Sequence, residues 1–207
     1  MEQQEKKTGM DPRITLILLV LLFVVPVATA IILHSIGDGW RTVITTNKGN
    51  LITPVRALPT FVASTIDGQS FSREDLDGKW TIFYIESSNC DKNCENNLYT
   101  IRQSRLGMGG EKERVQRIML LNDEGKGASL ESIQKEHAGM KVIKLDAVTR
   151  SELYKAFEFD GLPAAETAQR IYFIDPLGNL MMHYENNASP RGVVKDLERL
   201  LKYSRIG

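Results

Sequence analysis

The sequence predicts an α/β domain, with a central mixed sheet flanked by helices, behind one N-terminal transmembrane helix. Three observations predict it. Residues 14–36 form an uncharged apolar run, strand-like and helix-like segments alternate from Leu58 onward, and the end reads as a hairpin followed by an amphipathic helix. The 207 residues suffice for one ordinary domain with accessories. Lys+Arg and Asp+Glu are both 26, so the basic excess of a nucleic-acid binder is missing. The 42% hydrophobic content would suit a globule, but much of it sits in one block.

That block, ITLILLVLLFVVPVATAIILHSI, holds no Asp, Glu, Lys or Arg. About 20 apolar residues cross a bilayer core, so it is long enough. Pro26 predicts a kink that a membrane helix tolerates. Ala28-Thr29-Ala30 has the small-x-small form of a signal-peptidase site, so a cleaved signal peptide competes. The run continuing through Ile31, Ile32 and Leu33 favours an uncleaved anchor. Lys6, Lys7 and Arg13 lie closer to the span than Arg41, Lys48 and Arg56 do. That asymmetry puts the N-terminus inside and the rest in the periplasm of a bacterial inner membrane. The expected division is a cytoplasmic tail over 1–13, a span over 14–36, a tether over 37–57 with Trp40 at the membrane interface, and a domain over 58–207.

Within the domain, residues 61–66 before Asp67-Gly68 read as a strand and turn. Residues 80–85, WTIFYI, are β-branched and aromatic on both faces, as in a central strand. Residues 94–108 predict a helix with Cys94, Leu98 and Ile101 on one face, and 115–121 the next strand. A helix over 129–138 starts on Ser129 and stops at Gly139, and 141–145 is a short strand. Thr149-Arg150-Ser151-Glu152 reads as a capping box opening a helix that buries Leu153, Ala156 and Phe157. Residues 170–175 and 180–184 form a hairpin about Pro176-Leu177-Gly178-Asn179. Ser189-Pro190 opens the last helix, whose stripe is Val193, Val194, Leu197, Leu200 and Leu201. The order β-β-α-β-α-β-α-β-β-α describes a thioredoxin-like domain.

The chain has two cysteines, Cys90 and Cys94, four apart. A compartment outside the cytoplasm permits a disulfide, but so short a loop is a poor staple. Cys90 falls in the loop after the central strand and Cys94 in the first turn of the next helix, beyond the carboxyl end of a strand where sites of open α/β sheets lie. Unpaired N–H groups there favour a thiolate, which is both a nucleophile and a soft metal ligand. The competing reading is an inert pair. Ser87-x-x-Cys90 hints at a peroxidase, but Phe83 stands where its proline belongs. His137 ends a helix, where its charge suits the dipole, and Pro163 reads as a loop proline. Asn187-Ala188-Ser189 is a formal glycosylation sequon, or simply a turn and helix cap.

These residues resemble the Sco family, thioredoxin-fold proteins that handle copper and assist assembly of the copper centre of cytochrome c oxidase. The shared features are the N-terminal anchor, Phe61 with Asp67-Gly68, Leu76-Asp77-Gly78-Lys79, Cys90-x-x-x-Cys94 and Tyr172-Phe173-Ile174-Asp175-Pro176-x-Gly178, covering about residues 58–205. The resemblance implies Cu(I) held by the thiolates of Cys90 and Cys94, and a protein partner in oxidase assembly. This chain is a divergent member of that pattern. Asp91 and Glu95 follow the cysteines where the family often has proline. Thr167, within one or two residues, stands where the family has its histidine ligand. His183, opposite Tyr172 in the expected hairpin and beside Met181 and Met182, is a candidate substitute ligand. Three functions stay open: an oxidase-assembly accessory working by thiol–disulfide exchange or Cu(I) handling, a non-catalytic interaction module, and a general thiol oxidoreductase or peroxidase.

Overall fold

Residues 11–35 and 46–203 are described in a computed structural model of the chain. Trp40 and most of the expected tail lie outside them. The chain divides into two units at Thr46/Asn47. The first carries helix α1, Pro12–Ser35, with Pro26 inside it. Its stretch Pro12–Ile32 is long and apolar enough to cross a membrane, with a mean hydropathy of 2.9 and none of it buried in protein.

The second unit is built on an eight-stranded sheet of order β1-β8-β7-β4-β5-β6-β2-β3. Its strands are β1 Asn50–Ala57, β2 Val62–Thr65, β3 Ser70–Ser72, β4 Trp80–Glu86, β5 Val115–Leu121, β6 Lys141–Lys144, β7 Ile171–Ile174 and β8 Asn179–Tyr184. The helices are α2 Lys92–Gly107, α3 Leu130–Glu136, α4 Ala147–Tyr154 and α5 Pro190–Tyr203. β4, β5 and β6 run parallel, and the other neighbours are antiparallel. All seven residues of β4 are buried, which explains why both its faces are apolar.

Each predicted element is present, with two additional strands. β3 pairs with β2 across the Asp67-Gly68 turn, where Gly68 takes the positive φ of 80° that such a turn demands. β1 lies in the stretch expected as tether and pairs with β8, with a register shift between Leu51 and Arg56 around Pro54. One cap also differs. Asp146, not Thr149, caps α4, because its carboxylate takes the N–H groups of Val148 and Thr149 and the Thr149 hydroxyl.

The sheet separates two apolar layers. One holds Phe61, Phe71, Phe83, Leu153, Phe157 and Tyr172, packed under α4. The other holds Ile82, Tyr84, Cys94, Leu98, Phe173, Met182, Val193 and Leu197, packed under α2 and α5. The chain's entry into the sheet is pinned by α5. Asp196 is buried and accepts from Lys48 N–H at 2.7 Å, Gly49 N–H at 2.9 Å and the Tyr184 hydroxyl at 2.6 Å. A Cβ at Gly49 would lie 2.7 Å from both Met182 Sδ and Tyr184 Cζ, so a side chain there must displace two buried neighbours.

Candidate functional site

β4 delivers the chain at Glu86 into a short loop, and α2 starts at Lys92. Ser88 fixes that loop from below. It is 1% exposed, and its N–H and hydroxyl both donate to Asp123 Oδ2 at 2.8 Å. Its Oγ in turn accepts the Gly127 N–H at 2.6 Å. Burial works against the Asp123 charge, yet the donors from Gly125 and Ser88 hold its carboxyl below the usual carboxylate range. A Cβ at Gly127 would meet the Ser88 carbonyl oxygen at 2.2 Å, so only glycine lets the two loops touch.

Asp91 caps α2. Its Oδ1 accepts the Cys94 N–H at 2.8 Å and, from across the site, the Gln169 side-chain amide at 3.1 Å. The cap places Cys94 in the first turn, wholly buried in the layer under α2, while Cys90 stays in the loop and half-buried. The two are joined as a disulfide with their Cα atoms 5.3 Å apart. Cys90 is thus the sulfur open to solvent, and Cys94 the one shielded in the first turn of a helix.

The third side of the site comes from the loop before β7. Gln169 adopts φ of 48°, a conformation seldom taken by residues with side chains. Its carbonyl accepts from Asn97 Nδ2 at 2.8 Å, and its side-chain carbonyl accepts from Asn186 Nδ2 at 3.3 Å. Asn97, fully buried on α2, also donates to Asn186 Oδ1 at 3.2 Å and to the Tyr84 hydroxyl at 3.4 Å. The Tyr84 hydroxyl donates to Glu86, whose carboxylate also takes the Ser87 N–H. Burial pushes the Tyr84 phenol far above its usual range, so it stays a neutral donor. An amide network thus ties α2, the loop before β7 and the end of β8 around the disulfide.

Cys90 and Cys94 are brought together as expected, and His183 is not with them. His183 pairs with Tyr172 as the sequence predicted, but Tyr172 belongs to the layer under α4. Side chains alternate along a strand, so Met182 faces the Cys94 layer and His183 faces away. His183 stacks on Phe159 at 4.9 Å and lies 3.4 Å from a Glu185 carboxylate oxygen. As a copper ligand it is ruled out by the sheet standing between it and the sulfurs. Thr167 is exposed and donates to the Ala164 carbonyl, so the residue of that loop that reaches the cysteine helix is Gln169. Pro163 is a loop residue whose carbonyl accepts from the buried Arg170, and the cis peptide among the described residues is Thr53-Pro54. His137 does end α3, but burial, then Arg117 and Arg102, push its imidazole toward the neutral form rather than the charged one expected. Sequence reasoning passed over Asp91 as a cap. Asp three residues ahead of the buried Cys94 was the available signal.

A metal centre would need the disulfide reduced. The pair would then offer two thiolates, soft donors suited to Cu(I), while the third side offers a carboxamide that is a poor ligand for a soft ion. No cluster of three or more His, Cys, Asp or Glu able to hold a metal occurs among the described residues. The residues present fit two-coordinate Cu(I), not an enclosed three-ligand site.

The family model for the transmembrane-like, thioredoxin-like, C-terminal domain matches residues 80–204. No curated relative matches the chain. Among solved structures, the chain is similar to copper-bound ScoI of Bradyrhizobium japonicum at 18% identity and a TM-score of 0.57, over 69% of this chain and 98% of that one. It is similar to copper-bound yeast Sco1 at 16% identity and a TM-score of 0.61, over 72% and 90% of the two chains. It is also similar to BsSco, a member of the Sco family of cytochrome c oxidase assembly proteins in which a disulfide switch was identified, at 16% identity and a TM-score of 0.55, over 73% and 96%.

Proposed function

The chain belongs to the transmembrane-like, thioredoxin-like family, and from that premise we propose that it is a membrane-anchored accessory protein of cytochrome c oxidase assembly, acting outside the cytoplasm through Cys90 and Cys94. The observation that carries this reading is the disulfide at the strand–helix junction, with one sulfur approachable and the other buried. The fold shared with Sco proteins supports the oxidase connection. The apolar helix Pro12–Ile32 supports the anchor.

Thiol–disulfide exchange is the primary chemistry. A partner thiolate attacks Cys90 Sγ, the Cys90–Cys94 bond breaks, and Cys94 leaves with the electron pair and takes a proton. A second partner thiol then attacks the mixed disulfide and releases Cys90. The partner leaves with one disulfide, and the chain keeps two thiols, having accepted two electrons. The reverse sequence reduces a partner disulfide. Cu(I) is a second cargo of the same pair, carried by the two thiolates once they are reduced.

The test is complementation. A host lacking the gene is supplied with the wild-type chain, Cys90→Ser, Cys94→Ser or the double variant, and cytochrome c oxidase activity is measured in its membranes. Loss of activity in each variant is expected. Full activity in the double variant would make the chain a non-catalytic interaction module instead.

A further inference from the structure

We propose that the groove between α2 and α3 docks an extended, cysteine-bearing polypeptide segment with a basic side chain beside its cysteine and an acidic one three residues farther on. The proposal rests on the thiol-exchange reading above and names the partner of that same site. Cys90 lies at one end of the groove, which encloses about 480 Å³. α2 lines it with Glu95, Leu98, Tyr99 and Arg102, the i, i+3, i+4, i+7 face of a helix. α3 lines the other wall, with Ile133 on the floor beside Leu98 and both buried. Tyr99 stands 57% exposed on the rim, an aromatic left in water beside a reactive sulfur.

The two ends differ in charge. Glu95 is in the first turn of α2, at the Cys90 end, and has no cationic partner among the described residues. The far end holds Arg102 on α2 facing Glu136 and His137, with Arg117 buried behind them. Arg102 has no ion pair among the described residues and lies close enough to Arg117 and His137 to disfavour their charged forms. Arg117 is buried, its guanidinium is pushed down to about 10 by burial and then by Arg105 and Arg102, and its Nε has no partner among the described residues. Glu136 also lines this end and accepts the Ser132 hydroxyl on Oε1 at 2.9 Å, and among the described residues it makes no ion pair with Arg102 or Arg117. An acidic side chain arriving there meets the exposed Arg102, with the buried Arg117 behind it adding to the attraction. Glu95 and Arg102 are seven residues apart on one helix, about 10 Å of rise, and an extended chain covers that in about three residues.

Two synthetic dithiol peptides of one composition test the order of charges. In the matched peptide Lys sits beside the attacking cysteine and Glu three residues beyond, and in the other they are exchanged. The rate at which each opens the Cys90–Cys94 disulfide of the full chain in detergent is read by alkylation and mass. Each rate is divided by the same peptide's rate with a small linear disulfide, which removes its intrinsic thiol reactivity. The matched peptide is expected to be faster by about five- to tenfold at low salt. Arg102→Gln and Glu95→Gln are each expected to cut that ratio severalfold, as is about 0.5 M salt. Equal rates in the wild type, or a ratio untouched by both variants, overturns the groove while leaving thiol exchange standing. Faster opening by glutathione than by the matched peptide overturns a polypeptide occupant. A disulfide that neither peptide nor dithiothreitol opens overturns both readings.

Discussion

Replacing Gly127 by alanine loads a single contact that holds the reactive loop. The added Cβ would lie 2.2 Å from the Ser88 carbonyl oxygen and 2.5 Å from its Oγ. An ordinary contact needs about 3.4 Å, so one loop must retreat by about 1 Å, and the nearest atom is backbone rather than the tip of a flexible side chain. That retreat also breaks the 2.6 Å bond from Gly127 N–H to Ser88 Oγ. Overpacking costs about 1–3 kcal/mol and the lost hydrogen bond about 1 kcal/mol, so Gly127→Ala is expected to lose about 2–4 kcal/mol. Urea unfolding of the full chain in detergent measures it as a midpoint shift of about 1–2 M. Ser88 lies two residues before Cys90, so dithiothreitol should also open the disulfide faster. Gly110→Ala is the control, since a Cβ there meets nothing within 4 Å, and its change should stay within about 0.5 kcal/mol. A Gly127→Ala chain as stable as that control, with unchanged reduction kinetics, would refute the claim that the loops brace each other.

The remaining predictions concern the cap, the histidine and the missing ligand. Asp91→Ala removes the acceptor for Cys94 N–H and should cost about 1 kcal/mol in urea unfolding, whereas Asp91→Asn, which caps as well, should cost a few tenths. Burial pushes the His183 imidazole below its usual value, with Glu185 opposing and Arg170 adding to the shift. The unfolded chain thus takes up its proton first, and the His183 contribution is present above about pH 6.5 and lost as pH falls below it. His183→Gln should lessen that acid destabilisation and leave Cu(I) uptake by the reduced chain unchanged, as competition with a Cu(I) chelator would show. Gln169→His puts an imidazole on the loop that reaches the cysteine helix, in a backbone conformation histidine tolerates, and should raise Cu(I) affinity of the reduced chain at least about tenfold in the same competition.

How far the sequence could be read depended on the range of the interactions involved. β4 and α5 announce themselves because their apolar periods are local, a continuous run in one and an i, i+4, i+8 stripe of Val193, Leu197 and Leu201 in the other. The cysteine pair was legible for the same reason. β1 was not, because Thr53-Pro54 reads as punctuation and the strand is defined by its partner β8, more than 120 residues away in the register Arg56 to Leu180. The α4 cap turned on competition between two nearby signals, and the acid at Asp146 reached the free N–H groups first. His183 shows how parity decides a site. Its pairing with Tyr172 was right, but one step along a strand exchanges faces, and the helix bearing Cys94 covers the other one. Gln169 was out of reach of any local pattern, since its bond to Asp91 joins residues 78 apart.

The grip of Asp196 on Lys48 and Gly49 has a mechanical consequence. In the anchored form proposed above, a pull on the N-terminal side reaches the domain at Lys48 and Gly49. Here that point is fastened to the final helix by a buried carboxylate before the chain joins the edge of the sheet, so a pull is shared at once between the first strand and the last helix. Stretched by that end in a force experiment, the domain should resist until the Asp196 clasp gives way and only then shed β1. With Asp196→Ala the edge strand should peel off at lower force, while the disulfide, borne on the loop after the interior strand β4 and on α2, is still seated.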